Sequence, residues 1–302
     1  MRRSRLLGLT ALLALITPAA GSAYVARVPQ ATITPITVVA VGDIACKPGD
    51  PTTSTTCRDA ATAKLAQSQS PDYVLALGDE QYQVGSYTAF MSEYDGTWGA
   101  LKSITKPIPG NHEYMTAGAS GYYKYFADQM PAAAIGKGYY ASVLGSWRVL
   151  NLNSNCTKID CAAELTWFKK QLANASEKCI AMTMHHPRYS SGEHGSSTVM
   201  RPFWRAAYNA KVDLALAGHD HDYERFVRMN GDKVKKPDGI VSFVVGTGGK
   251  ELYHLVSRRY GSAIFDAKHH GILKLRLGEA GFSYAFISVD GVTRDSGTRS
   301  CV

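Results

Sequence analysis

Ala217-Gly218-His219-Asp220-His221-Asp222-Tyr223-Glu224-Arg225 follows on a short apolar run, 212–217, that reads as a buried strand. Gly218 breaks that run and frees the backbone for a tight exit. Residues two apart in an extended segment project to the same side, so His219 and His221 can reach one point together. Two imidazoles aimed at one spot beyond a strand end make half of a transition-metal site. Alone, the same spacing is also what a solvated loop produces, so the reading depends on what the earlier strands carry.

Four earlier apolar runs end in the same way. Residues 37–41 stop at Gly42-Asp43, and 73–77 stop at Gly78-Asp79. Residues 104–108, interrupted by Pro107 and so short or near an edge, stop at Pro109-Gly110-Asn111-His112-Glu113. Residues 180–184 stop at His185-His186-Pro187. Between these runs, 59–69, 87–101, 162–173 and 199–209 have helical patterning, and 139–144 with 147–152 reads as a hairpin across Gly145-Ser146. Beyond Arg225 the pattern turns to strands at 225–229, 240–245, 271–277 and 282–289. Strand–helix alternation followed by strands predicts one α/β domain, with ligands beyond the carboxyl ends of its strands. No internal repeat or domain linker interrupts it.

Arg2, Arg3 and Arg5, an apolar run over 6–16 and small residues to Ala23 have the layout of a secretory signal peptide. Cleavage is expected after Ala23, leaving a 24–36 extension and a 37–302 catalytic domain. The apolar run is shorter than the roughly 20 residues of a membrane span, so no membrane association is expected after signal removal, and the protein is expected to be secreted or extracytoplasmic. Removing the three leader arginines from the formal charge of +8 leaves +5, without a long basic block, and no nucleic-acid partner is indicated. The densest patch, Lys233-Val234-Lys235-Lys236, reads as a solvated turn. An even six cysteines in an exported chain suggests disulfides. Proximity favours Cys46–Cys57 and Cys156–Cys161 and leaves Cys179–Cys301, while other connectivities stay open.

Collected in order, the strand-end groups are Asp43, Asp79 with Tyr82, Asn111 with His112, His185, and His219 with His221. Gly42-Asp43-Ile44-Ala45, Gly78-Asp79-Glu80-Gln81-Tyr82, Gly110-Asn111-His112-Glu113, Met184-His185 and Gly218-His219-Asp220-His221 resemble the five blocks of the calcineurin-like metallophosphoesterases, in order, and specifically the purple acid phosphatase branch. The resemblance runs from about residue 37 to the C-terminus and implies a four-layer α-β-β-α sandwich with two mixed sheets. It implies one metal on Asp43, Asp79, Tyr82 and His221, and a second on Asp79, Asn111, His185 and His219, with Asp79 bridging. Many relatives carry histidine where this chain has Ala45; the phenol of Tyr82 is instead the mark of the purple branch, with Fe(III) at the tyrosine site and divalent Fe, Zn or Mn at the second. His112 and His194 would face the phosphoryl group, and His186 is either a further contact or a surface imidazole.

The implied activity is hydrolysis of small phosphomonoesters. Paired cations clamp the phosphate and lower the pKa of a water that attacks in line, while His194 or His112 protonates the departing alkoxide. A phosphodiesterase or nucleotidase on the same fold competes with this reading, as do a non-catalytic secreted binding protein and a structural metalloprotein. Residue by residue, other readings also stand: Asp43 and Asp79 as helix N-caps, Asn111 as a turn residue, Tyr82 as a packed aromatic, His185 as a core histidine. His254, His269 and His270 match no block. Neither the oligomeric state nor the natural substrate is legible; the loops 83–86, 115–123 and 188–197 that would shape specificity carry no signature.

Overall fold

The computed structural model describes residues 34–302; the expected signal peptide and all but the last residues of the 24–36 extension lie outside the described residues. In chain order the strands are β1 (Ile36–Val41), β2 (Tyr73–Ala76), β3 (Thr105–Pro107), β4 (Tyr140–Leu144), β5 (Trp147–Asn151), β6 (Cys179–Met184) and β7 (Leu214–Ala217). They continue as β8 (Tyr223–Met229), β9 (Ile240–Val245), β10 (Ser262–Asp266), β11 (Gly271–Gly278), β12 (Gly281–Ser288) and β13 (Thr293–Ser300). One sheet has the order β13-β12-β11-β1-β2-β3 and the other β10-β8-β9-β7-β6-β5-β4. Both are mixed: β1, β2 and β3 run parallel while β11 joins β1 antiparallel, and β5, β6, β7 and β9 run parallel with β8 and β4 antiparallel at the flanks. The Pro107 strand is an edge strand, as its missing donor requires.

Strand periodicity sorts the layers. In β7, Leu214 and Leu216 join a core shared with Val39, Leu273 and Phe286 of the first sheet, whereas Ala215 and Ala217 face the opposite way. That second face packs Phe168 and Leu172 of helix α2 (Cys161–Ala173) and Phe203 and Trp204 of helix α3 (Arg201–Asn209). Helix α1 (Asp59–Ser68) covers the first sheet through Ala63 and Ala66. The result is the expected α-β-β-α layering of two mixed sheets, with β1, β2, β6, β7 and β9 buried on both faces.

Three local differences from the sequence reading have physical causes. The 87–101 helix is a chain of short turns, α-helical at Tyr87–Ala89 and Asp95–Thr97, π-helical at Phe90–Tyr94 and 3₁₀ at Gly99–Ile104. Gly96 and Gly99 weaken the helix, and its aromatic side is held by packing, with Phe90 stacked on Tyr125 at 5.0 Å. Further short turns, including Ser120–Tyr125, fill 113–134. Strands β10 and β13 lack an apolar alternation, and β13 is placed by others: Asp295 accepts from Arg225 Nε at 2.6 Å and Tyr223 Oη at 2.7 Å, and Cys301 is tied to Cys179. The disulfides Cys46–Cys57, Cys156–Cys161 and Cys179–Cys301 all form as expected.

Candidate metal centre

The exits of β1, β2, β3, β6 and β7 meet at one end of the two sheets. The first two zip together through Asp43 N to Gly78 O (3.0 Å), Ile44 N to Asp79 O (2.9 Å) and Ala45 N to Glu80 O (3.0 Å). Asp43, Asp79 and His219 all sit at positive φ (60°, 50° and 75°), a backbone state that non-glycine residues hold only where the surroundings fix it. None of these aspartates caps a helix: α1 follows Arg58, and the next helical turn is capped by Ser86.

Two glycines show how tightly the site is drawn in. Gly78 has φ of 88°, and a Cβ there would come within 2.6 Å of His185 Nδ1. A Cβ on Gly110 would lie 2.1 Å from Asp79 Oδ1. Only a residue without a side chain lets these loops approach so closely.

On the first side, Tyr82 Oη lies 2.9 Å from Asp43 Oδ1, 3.1 Å from Asp79 Oδ2 and 2.9 Å from His221 Nε2. His221 Nδ1 donates to the Glu251 carbonyl at 2.6 Å, so its Nε2 lone pair points inward. On the second side, His185 Nε2 lies 3.1 Å from Asn111 Oδ1, 3.3 Å from Asp79 Oδ2 and 3.2 Å from His219 Nδ1. His185 Nδ1 donates to the Leu77 carbonyl at 2.9 Å, which turns its Nε2 lone pair the same way. The donor atoms of Asp79, His185 and His219 all lie within 4.8 Å of one another. All seven side chains expected from the resemblance to hold metal are therefore brought together, with Asp79 common to both sides.

This donor set fits cations. Around Tyr82 three acceptors, Asp43, Asp79 and His221, share one phenolic proton. Asp43 and Asp79 are buried. Burial pushes the Tyr82 phenol well up, and both carboxylates push it further. Burial presses the His185 imidazole down, but Asp79 overcomes it and holds the ring at about 9. Burial also works against the Asp79 carboxylate, yet His185 draws it far below its ordinary value. Such a site calls for positive charge, and a bound cation inverts the local preference for protonated phenol.

His112 and His194 flank the donor set from opposite sides. The His112 ring leans on Tyr82 at 4.3 Å and its Nδ1 donates to the Gln83 carbonyl at 2.7 Å, leaving Nε2 facing the site 3.9 Å from Asp79 Oδ2. The His194 ring stacks on His219 at 4.3 Å. His186 is not a surface imidazole: its ring sits 4.4 Å from that of His219, its Nδ1 is 2.7 Å from Ser154 Oγ, and burial pushes it down to about 3. His254 and His269 pair with Glu193 and Asp266, and His270 Nε2 donates to the Lys250 carbonyl, so none of the three joins the group.

Three supporting residues escaped the sequence reading. Glu113 accepts backbone N–H groups from Asp79 (2.9 Å), Gly110 (2.8 Å) and Gln81 (3.2 Å), clamping the second and third ligand loops; its place beside Asn111-His112 was the available signal. Tyr253 stacks on His221 at 3.9 Å from an irregular segment that offers no pattern. Asp220 accepts from the backbone of His194 (2.7 Å) and Gly195 (3.0 Å) and from the Ser190 hydroxyl. Its alternation with His219 and His221 was visible, but its partner lies 25–30 residues upstream.

A two-sheet sandwich with a polyvalent Asp/Asn/His/Tyr cluster at its strand exits defines a metallophosphoesterase. Residues 36–223 match the calcineurin-like phosphoesterase family, and the chain belongs to it. Among curated relatives it is 25% identical over 213 residues to purple acid phosphatase 22 of Arabidopsis thaliana, the match covering 63% of this chain and 47% of that one. It is 27% identical over 232 residues to tartrate-resistant acid phosphatase type 5 of Rattus norvegicus, covering 64% and 68%. The chain thus spans about half the length of the plant relative. In fold it is similar to purple acid phosphatase PPD1 from yellow lupin (Lupinus luteus) seeds, with TM-score 0.72, 20% identity, and coverage of 88% of this chain and 54% of that one.

Proposed function

We infer that this protein is a secreted, purple acid phosphatase-like hydrolase of small phosphomonoesters. One observation carries the reading: seven ligand-type side chains converge from five strand exits, and Asp79 touches both halves of the group. Asp43, Asp79, Tyr82 and His221 would hold one metal, and Asp79, Asn111, His185 and His219 the other. Two cations so held supply Lewis acidity toward a phosphoryl group and an acidified water. Carboxylate and phenol oxygens are hard donors suited to a ferric ion; the second set, richer in neutral donors, suits divalent Fe, Zn or Mn.

The chain's own residues orient and protonate. His112, with Nδ1–H committed to Gln83, presents Nε2 toward the substrate phosphoryl oxygens. His194, stacked on His219 at the rim, is the proton donor to the departing alkoxide, a role worth roughly 10²–10⁴ in rate. The arginine-led N-terminus and three disulfides support export. Among the described residues no helix is long and apolar enough to cross a membrane.

The test is metal analysis with a visible spectrum, alongside turnover of mono- and diesters. Aerobically purified protein is expected to be pink to purple, with about one iron and one further divalent metal per chain, because a phenolate on ferric iron absorbs visible light. Tyr82→Phe removes the colour, and monoesters exceed diesters in kcat/KM. Colourless, fully loaded and active protein overturns the ferric assignment, and a diester preference overturns the monoesterase.

A further inference from the structure

His194 does not only border the metal centre. It also lines a second cleft of about 340 Å³, together with Tyr189, Gly195, Ser196, Lys233, Arg259 and Tyr260. No carboxylate lines this cleft, while two cations do. The acids around it are engaged elsewhere: Asp232 pairs with Arg201 and Arg205, Glu193 pairs with His254, and behind the loop Asp220 accepts from the backbone of His194 and Gly195 while Glu224 accepts from Ser191. Among the described residues neither Lys233 nor Arg259 forms an ion pair. Unpaired like charges at one cleft repel one another, and an anion placed between them relieves that repulsion.

The loop that carries His194 holds the Arg259 side chain and the Lys233 backbone. Arg259 donates its backbone N–H to Ser191 Oγ at 2.9 Å and its Nε–H to the Ser190 carbonyl at 3.3 Å, and its guanidinium lies beside Gly195. Lys233 takes a positive φ of 65°; its N–H donates to Tyr189 Oη at 3.1 Å, and Asn230 Oδ1 accepts from Asp232 and Val234 on either side of it. Part of the ordering cost, that of the Arg259 guanidinium and of the Lys233 backbone, is therefore met before a ligand arrives. Lys235, 4.5 Å over the Tyr260 ring, adds positive charge at the rim. The 233–236 basic patch, which read as a solvated turn, thus opens onto the side of the site where His194 meets the leaving group.

We propose that this cleft binds an anionic group carried by the leaving-group portion of the substrate, so that the preferred phosphomonoesters bear a second phosphate or a carboxylate several ångströms from the scissile phosphorus. The inference rests on the phosphatase reading and on His194 marking the leaving-group side. Both cations can donate hydrogen bonds to either kind of anion, Arg259 in bidentate fashion.

The test compares matched pairs of probes: fructose 1,6-bisphosphate with fructose 6-phosphate for a second phosphate, and 3-phosphoglycerate with glycerol 3-phosphate for a carboxylate. The wild-type holoenzyme is expected to favour the charged member of at least one pair in kcat/KM, chiefly through KM, and the pair that responds identifies the anion. Lys233→Glu and Arg259→Ala should each lower that ratio about three- to tenfold, and raising ionic strength should lower it in the wild type. Ratios near one in the wild type, or unchanged in both variants while esters are still cleaved, overturn the inference and leave the phosphatase standing. If metal-replete protein cleaves no phosphoester, the phosphatase reading fails instead. Calorimetric binding of the two fructose phosphates then decides the cleft: tighter binding of the bisphosphate, lost in Lys233→Glu, upholds it, and equal binding overturns it.

Discussion

Asp79 is the residue on which both halves of the centre depend. Its Oδ2 faces Tyr82 at 3.1 Å and His185 at 3.3 Å, while Oδ1 accepts the His112 N–H at 2.8 Å. An amide in its place keeps one oxygen but loses the charge and turns an N–H₂ toward groups that already carry protons or cations. Asp79→Asn is therefore expected to lose metal and activity together, with turnover down about a hundredfold or more. Metal content and kcat measured on the same preparation check this; near-normal values of both would remove Asp79 from the bridging position. At this scale the convergence of these side chains was legible, because five buried strands each run into a short polar exit marked by a glycine or proline. Tyr253 and Glu113 were less so, since a ring stacked on a ligand or a carboxylate under a loop leaves no spacing to read.

At the scale of elements, the segment 219–224 works on two faces. His219 and His221 turn toward the centre, while Asp220 and Glu224 turn toward the loop that carries His194, where Glu224 accepts from Ser191 N (2.7 Å) and Ser191 Oγ (2.6 Å). The period of two that places both histidines on one spot also places the carboxylates on the opposite side. Asp220 thus holds the backbone of His194 from the side away from the two histidines. Asp220→Ala should retain both metals yet slow alkyl phosphates about ten- to a hundredfold, with little loss on aryl phosphates, whose leaving groups need little protonation. Combined with His194→Ala it should add almost nothing, because the two act through one imidazole. Additive losses, or equal losses on both ester types, would assign Asp220 to general loop stability. The regular strands and helices were legible from periodicity, whereas the 87–104 turns and β13 were not: packing and cross-strand partners set them, rather than any pattern of their own.

Across the whole molecule, stability carries a pH dependence of its own, separate from the metal centre. Glu164 of α2 is fully buried against the second sheet, and its Oε1 accepts the Asn153 N–H at 2.8 Å. Burial raises its carboxyl from 4.5 to about 8, with that hydrogen bond acting the other way. In the unfolded chain the group ionises near its ordinary value, so between those limits the folded state holds a proton that the unfolded state has released. Stability from this group is thus fully present below about pH 4.5 and is lost as pH rises toward 8. Glutamine keeps the accepting oxygen and the shape but cannot ionise. Glu164→Gln should therefore melt close to wild type at pH 5 and clearly above it at pH 8, by up to a few kcal/mol at about 1.4 kcal/mol per pKa unit. Because both proteins carry the same metal ligands, the difference between them at each pH cancels any effect of pH on the centre. A difference in melting temperature that is the same at pH 5 and pH 8 would show that Glu164 is already ionised in the folded protein, with the Asn153 N–H outweighing its burial.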